Sequence, residues 1–263
     1  MVVVKIADGI GNQIFRYVCG YAVAKKKNEE LVLDIADYNT DTYRTYELDK
    51  FRLHEHRVSK FPNRTILGKV LRRLIRSIFY HVIYEHNEDL FGEYKKSIYL
   101  DGYYIDLKYY DMYKEEIREQ LKPGYNMSEA TQKAIDYCKN HKTCGIHMRL
   151  GDLQYDSLEY FNKAIQYIID RIPDIEFVLF SNDIKLAQNI LSKLQVRFKI
   201  VDELGSFSDV DSFFLLQSCQ HQILSQGTFG IWAGILNSNP DKIVCIPHEV
   251  VNAPSFPDDW IRL

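Results

Sequence analysis

The sequence predicts an α/β protein of two Rossmann-like domains facing a cleft. Three observations carry that prediction. The chain opens on a strand, a glycine turn and a helix, followed by a second strand. Its second half alternates five short apolar strands with helices. Each half also sets glycine and polar residues directly after a strand, where open α/β sheets hold their ligands.

Val2-Val3-Val4-Lys5-Ile6-Ala7 is a β-branched run bounded by turn residues, hence a strand. The glycine turn Asp8 to Gln13 follows. Ile14, Phe15, Val18, Cys19, Ala22 and Val23 then recur at helical spacing, and Lys25-Lys26-Lys27 suit the dipole of the last turn. Leu31-Val32-Leu33-Asp34 reads as the second strand. A polar stretch rich in Tyr, Asp and Arg leads to a basic helix over 66–80. Ile98 to Tyr104 reads as a strand ending in a glycine turn. Helices are expected over 109–121 and 128–140, separated by the breaker Pro123-Gly124. Beyond them, strands are expected over 143–148, 176–181, 198–202, 222–225 and 242–246. Helices over 157–171, 184–194, 209–219 and 229–237 lie between, which implies a parallel sheet with right-handed crossovers. The expected domains are residues 1–140 and 141–247, with the tail 248–263 packing back on the first.

A chain of 263 residues holds one large domain or two modest ones. A hydrophobic content of 46% suits a well-packed globular protein, and a net charge of −3 gives no case for nucleic acid. The five cysteines (Cys19, Cys138, Cys144, Cys219, Cys245) are odd in number, scattered and without a CxxC pair. Buried reduced thiols of a cytoplasmic protein are the expectation. Met1 leads straight into a strand and Asp8 interrupts the apolar run, so no signal peptide is expected. No stretch approaches the ~18 uncharged apolar residues of a membrane span. In 64–86, however, Lys69, Arg72, Arg73 and Arg76 stand among Ile66, Leu67, Val70, Leu71, Leu74, Ile75, Ile78 and Phe79. Such a basic amphipathic helix packs its apolar side on the core or lies on anionic lipid.

Three segments carry chemistry. His147-Met148-Arg149-Leu150-Gly151-Asp152 follows the apolar run Cys144-Gly145-Ile146. An arginine in the turn after a strand offers a planar fork of donors matched to phosphate oxygens. The other reading is an Arg–Asp pair tying down a loop. Near the N-terminus, Gly9, Gly11, Asn12 and Gln13 stand over a helix N-terminus, a site for an anion or a sugar. This turn half-imitates a dinucleotide fingerprint, with Asp34 near the place of a ribose-binding acid. Ile14 occupies the third glycine position, so a nicotinamide enzyme is not expected. Finally, Ser225-Gln226-Gly227-Thr228 precedes a helix. The Gly227 and Thr228 amides and the Thr228 hydroxyl suit phosphate oxygens, with a plain N-cap as the alternative for Thr228.

In series, these motifs resemble glycosyltransferase family 11, the α-1,2-fucosyltransferases, and more loosely the fucosyltransferases sharing an HxRxxD signature. Residues 8–18, DGIGNQIFRYV, are similar to the family's GGLGNQMFQYA opening. Tyr46 to Phe51 resembles its YxLxxF stretch, and Asp101-Gly102-Tyr103-Tyr104 through Tyr109-Tyr110 its GYWQSxxYF stretch. His147 to Asp152 looks like HVRRGD, and Phe180-Ser181-Asn182-Asp183 like FSDD. Asp211 through Asn237 is similar to the DxxLMxxCxHxIIxNSTFSWWGAxLN block, with Cys219, His221, Thr228, Phe229, Trp232, Ala233, Leu236 and Asn237 in register. The chain departs from the pattern at Asp8 (usually glycine), at Leu150 and Leu153, at Gln226-Gly227 and at Gly230-Ile231. The last three departures thin the donor site by a charge and two hydroxyls.

The resemblance implies a GT-B-like fold and inverting, metal-independent transfer of L-fucose. The donor is GDP-β-L-fucose and the acceptor the 2-hydroxyl of a terminal galactose on a surface polysaccharide or O-antigen. The chain shows no Asp-x-Asp at a strand end to hold a metal, so an arginine and helix-N-terminal amides must neutralise the leaving diphosphate. Arg149 is then the diphosphate clamp, and Asp152 orients Arg149 or His147; these three form the expected catalytic set. Asp183, His147 or His221 accepts from the guanine edge. Gly9 and Gly11 let backbone approach the donor, Asn12 and Gln13 bond fucose hydroxyls or a phosphate, and Ser225, Gly227, Thr228 and Phe229 complete the donor site. Asp8 is tempting as the base, but the glycine usual at its position argues against an essential role. The alternatives are another GDP-sugar or another fucose linkage and, from a different class, a non-catalytic nucleotide-sugar or glycan-binding protein. Lacking a Golgi-type anchor helix, the protein is expected to be bacterial and cytoplasmic, peripheral to the inner membrane through the basic helix, with a lipid-linked acceptor.

Overall fold

Three consecutive valines are buried on both faces of β1 (Val2–Lys5), as the middle strand of a parallel sheet requires. The computed structural model describes residues 1–39, 43–54, 56–59, 66–84, 89–150, 158–194, 196–248 and 256–263, in two units, Met1–Tyr125 and Asn126–Leu263. In the first unit, β1 leads into α1 (Ile10–Lys27), which ends at Asn28 in the left-handed region, its N–H closing on Ala24 and Lys25 carbonyls. The chain continues through β2 (Leu31–Asp34), β3 (Arg57–Ser59), α2 (Ile66–Phe79), β4 (Tyr80–Ile83), β5 (Ser97–Leu100), α3 (Lys108–Asp111) and α4 (Lys114–Gln120). The sheet order is β3-β2-β1-β5-β4, all parallel. Strand β4 takes Tyr80, expected as the last residue of the basic helix, and the three residues after it. Its aromatic and β-branched side chains pair with β5 instead, a tertiary contact that overrides local periodicity.

Of the two expectations for α2, packing of its apolar side on the core is the one the structure overturns. Arg72 is buried and donates to Asp34 Oδ2 at 2.7 Å, Asp37 Oδ1 at 2.6 Å and the Tyr99 hydroxyl at 3.2 Å. Arg76 pairs with Asp101, while Leu67, Val70, Leu71, Leu74, Ile78 and Phe79 are exposed. The cause is Asp34, a fully buried carboxylate that must be paired. Burial works to raise the Asp37 and Asp101 carboxyls, yet Arg72, Arg76 and Lys5 hold both below their ordinary values. No helix among the described residues is long and apolar enough to cross a membrane.

The second unit begins before α5 (Glu129–Asn140), which the sequence reading assigned to the first domain. Ser128 caps α5 through the Thr131 N–H, and its buried Ala134, Ile135 and Cys138 belong to the second unit's core. Then come β6 (Thr143–Met148), α6 (Leu158–Ile169), β7 (Glu176–Ser181), α7 (Ile184–Leu191), β8 (Phe198–Ile200), α8 (Asp209–Ser218), β9 (His221–Leu224), α9 (Thr228–Leu236), β10 (Val244–Ile246) and β11 (Ile261–Arg262). The order β11-β10-β9-β6-β7-β8 is again wholly parallel. The tail, expected against the first domain, instead supplies β11, because Trp260 buries its ring over Gly234 of α9. All five cysteines are free and buried.

Period-two alternation splits β6 between two cores. Cys144, Ile146 and Met148 join Phe161, Ile165, Phe177 and Leu179 in one apolar cluster. Gly145 and His147 face the other way, toward α8 and α9. In both sheets the winding reverses beside the central strand: between β1 and β5 in the first, between β6 and β9 in the second. Those two places are where open α/β sheets bind ligands.

Candidate functional site

At the second reversal, β6 delivers Arg149 and β9 delivers Ser225, Gln226 and Gly227 ahead of α9. Hydrogen bonds lock the two exits together. Ser225 N donates to the His147 carbonyl at 2.9 Å, and Arg149 N donates to Ser225 Oγ at 2.7 Å. At the end of β7, the Asn182 side chain clamps the next residue: Leu150 N donates to its Oδ1 and its Nδ2 donates to the Leu150 carbonyl, both at 2.8 Å. Arg149 is thus fixed on both sides.

Gly227 caps α9 with φ +137°, a conformation that side chains rarely adopt. The Arg149 stem runs past it, 3.5 Å from where a Cβ would stand. Thr228 is therefore the first helical residue, not the cap. The amides of the first turn, with no acidic residue there, join the arginine to make a concentrated anion site.

His147 stacks on Phe229 with ring centroids 5.2 Å apart, and its Nδ1 lies 3.5 Å from Ser225 Oγ. Gly230 makes that approach possible, since a Cβ there would come within 2.9 Å of Nδ1. Burial, aided by the Arg149 charge, pushes the imidazole down to about 4. It is neutral at pH 7, a hydrogen-bonding ring poorly matched to proton transfer at that pH. Asp183 stands on the same edge but caps α7, its Oδ1 accepting from Leu186 N at 3.0 Å. His221 drops out of the set. It starts β9, at the opposite end of the strands, and Ile243 N donates to its Nδ1 at 3.0 Å. Asp152 lies outside the described residues.

At the first reversal, α1 begins at Ile10, so Gly11, Asn12 and Gln13 form its first turn, capped by Gly9. Gln13 is corrected from ligand to scaffold. It is fully buried, its Nε2 donating to the Asp8 and Thr45 carbonyls and its Oε1 accepting from Glu47 N. Asn12, half-buried, keeps a place at the helix end. Sequence reasoning missed Asn182 as an anchor, although it stands inside the quoted Phe180 to Asp183 motif. It also missed Arg16, whose Nη2 donates to Asp8 Oδ2 at 3.0 Å. Nothing in the spacing distinguishes either from an ordinary polar residue.

Two parallel sheets, each reversing its winding beside its central strand, define a GT-B-like fold. The sequence matches the family described as Glycosyl transferase family 11 over residues 1–259, and the chain belongs to that family. It is 26% identical to the O-antigen biosynthesis glycosyltransferase WbnK of Escherichia coli, covering 98% of this chain and 99% of that protein. It is 24% identical to an alpha-1,2-colitosyltransferase of Escherichia coli, covering 100% and 99%. The fucosyltransferase NodZ from Bradyrhizobium shares the fold, with a TM-score of 0.57 at 14% identity over 89% of this chain and 91% of that one. NodZ has also been crystallised with GDP and soaked with GDP-fucose.

Proposed function

We propose that the protein transfers L-fucose, with inversion and without a metal, from GDP-β-L-fucose to the 2-hydroxyl of a terminal galactose on an O-antigen-type glycan. The observation that carries this reading is Arg149, held by Ser225 and Asn182 beside the N-terminus of α9. As the glycosidic bond breaks, negative charge builds on the departing diphosphate while the sugar becomes oxocarbenium-like. A guanidinium fork and fixed backbone amides stabilise that charge without reorganising, which is what a metal would otherwise supply. His147, neutral and stacked on Phe229, shapes the site and offers a hydrogen bond to the base or a phosphate. The relative named for O-antigen biosynthesis supports a surface-glycan acceptor. A cytoplasmic setting at the inner membrane, with a lipid-linked acceptor, belongs to the same proposal, and the exposed apolar side of α2 is its proposed contact.

A second reading, transfer of another GDP-sugar, is favoured by Leu150, Gln226 and Gly227 in the donor segments and by the colitosyltransferase relative. Calorimetric titration with GDP, GDP-fucose, GDP-mannose and UDP-galactose in EDTA separates the two, with Arg149→Ala alongside. Selective binding of GDP and GDP-fucose without metal, lost in the variant, is the expected result. Removing such a preorganised donor costs on the order of 10²–10³ in rate. Absence of guanine-nucleotide binding sinks the donor assignment, and binding without release of GDP to any galactoside leaves a binding protein.

A further inference from the structure

Four described residues other than glycine have positive φ: Asp8 (69°), Asn28 (53°), Tyr104 (52°) and Asp174 (61°). Asn28 is a helix cap and Asp174 a turn residue, ordinary places for that conformation. Asp8 and Tyr104 are different. They leave β1 and β5, the two strands that flank the first sheet's reversal. Backbone held in sparsely populated regions on both sides of that reversal is an outlier that calls for a functional reason.

The surroundings over-determine both. The Asp8 carbonyl accepts from Gln13 Nε2 at 3.0 Å and from the Tyr38 hydroxyl at 2.9 Å. Tyr104 is buried, its hydroxyl donating to the Ile83 carbonyl at 2.8 Å. Beside Asp8 stands Arg16, with only 5% of its side chain exposed. Arg16 holds Asp8 Oδ2 through Nη2 and lies 4.6 Å from the centre of the Tyr103 ring. Arg16 thus links two exposed side chains: Asp8, its side chain 41% exposed, and Tyr103, 45% exposed. Asp8 Oδ1 has no partner among the described residues. Glycine would occupy residue 8 without strain, so the carboxylate is held there against a backbone cost.

We propose that Asp8 and Tyr103 form the subsite for the acceptor's terminal sugar, a neutral pyranose. Asp8 Oδ1 accepts from one or two sugar hydroxyls, and the exposed face of Tyr103 covers the sugar's apolar C–H face. Arg16 already balances the carboxylate, which disfavours a cationic ligand, while the free oxygen repels an anionic one. This inference rests on the galactoside-acceptor reading above and adds the residues that recognise the acceptor, reversing the expectation that Asp8 is dispensable.

The test is titration of methyl β-D-galactopyranoside, followed by nuclear magnetic resonance, with and without GDP. Wild type is compared with Asp8→Asn, a residue that tolerates left-handed backbone, and with Tyr103→Leu. Each variant is expected to lose galactoside affinity by about tenfold or more, the weight of one charged hydrogen bond or one stacked ring, with GDP affinity unchanged. Unchanged galactoside affinity in both variants overturns the proposal. So does a wild-type protein that binds GDP but no galactoside, or a parallel fall in GDP affinity. A wild type that binds the galactoside but no guanine nucleotide keeps this subsite and sinks the donor assignment alone.

Discussion

Arg149 owes its position to two small polar side chains. Ser225 is almost fully buried and receives the Arg149 N–H, and Asn182 holds both backbone groups of Leu150. Ser225→Ala leaves that N–H without its acceptor, at about 1 kcal/mol. It is expected to weaken GDP binding five- to tenfold although no charge is lost. Asn182→Ala should do the same, and the double variant should lose less than the product, because both act on one loop. Calorimetry with GDP on the three variants checks this; full affinity in Ser225→Ala shows that the clamp does not depend on its anchors.

At the scale of elements, α2 contradicts the ordinary amphipathic pattern, and its energetics follow from Asp34. Arg72→Ala abandons a buried carboxylate and is expected to cost about 3–5 kcal/mol. Leu71→Ser with Leu74→Ser removes exposed apolar groups and should change stability by no more than about 0.5 kcal/mol each. Urea denaturation gives both numbers, and the reverse ranking means that α2 packs its aliphatic side inward. The same serine variant should abolish sedimentation with phosphatidylglycerol vesicles at low salt. If wild type ignores such vesicles, membrane contact through α2 is wrong.

For the whole molecule, these sites set the response to acid. The His147 pKa falls from 6.5 to about 4 on folding, so between those values the unfolded chain binds the extra proton and stability rises with pH. His147 therefore contributes fully above about pH 6.5, and roughly 3 kcal/mol of that is lost on acidification toward pH 4. His221, also lowered by burial, acts in the same sense. Asp37 and Asp101 are depressed carboxyls, so their contribution is present above their unfolded values and disappears below about pH 4. Denaturation curves from pH 8 to 3 should be flat, then fall in two stages. His147→Gln should shrink the first stage and leave the second; an unaltered first stage means that the buried imidazole is not its source.

The sequence by itself determined the order of the main strands and helices and the position of the glycine turns after β1 and β9. Those features are written in short-range periodicity, glycine punctuation and caps such as Ser128. Three things were decided only by tertiary structure. The strands β3, β4 and β11, two to four residues long, carry no period of their own and exist because a neighbour offers a free edge. The direction of α2 and the burial of Gln13 follow from carboxylate and backbone groups far away in sequence that had to be satisfied. The pairing of Asp8 with Tyr103 depends on which strands flank the reversal of the first sheet. No local pattern encodes that, because strand order arises from long-range pairing such as that of Val2 with Ile98.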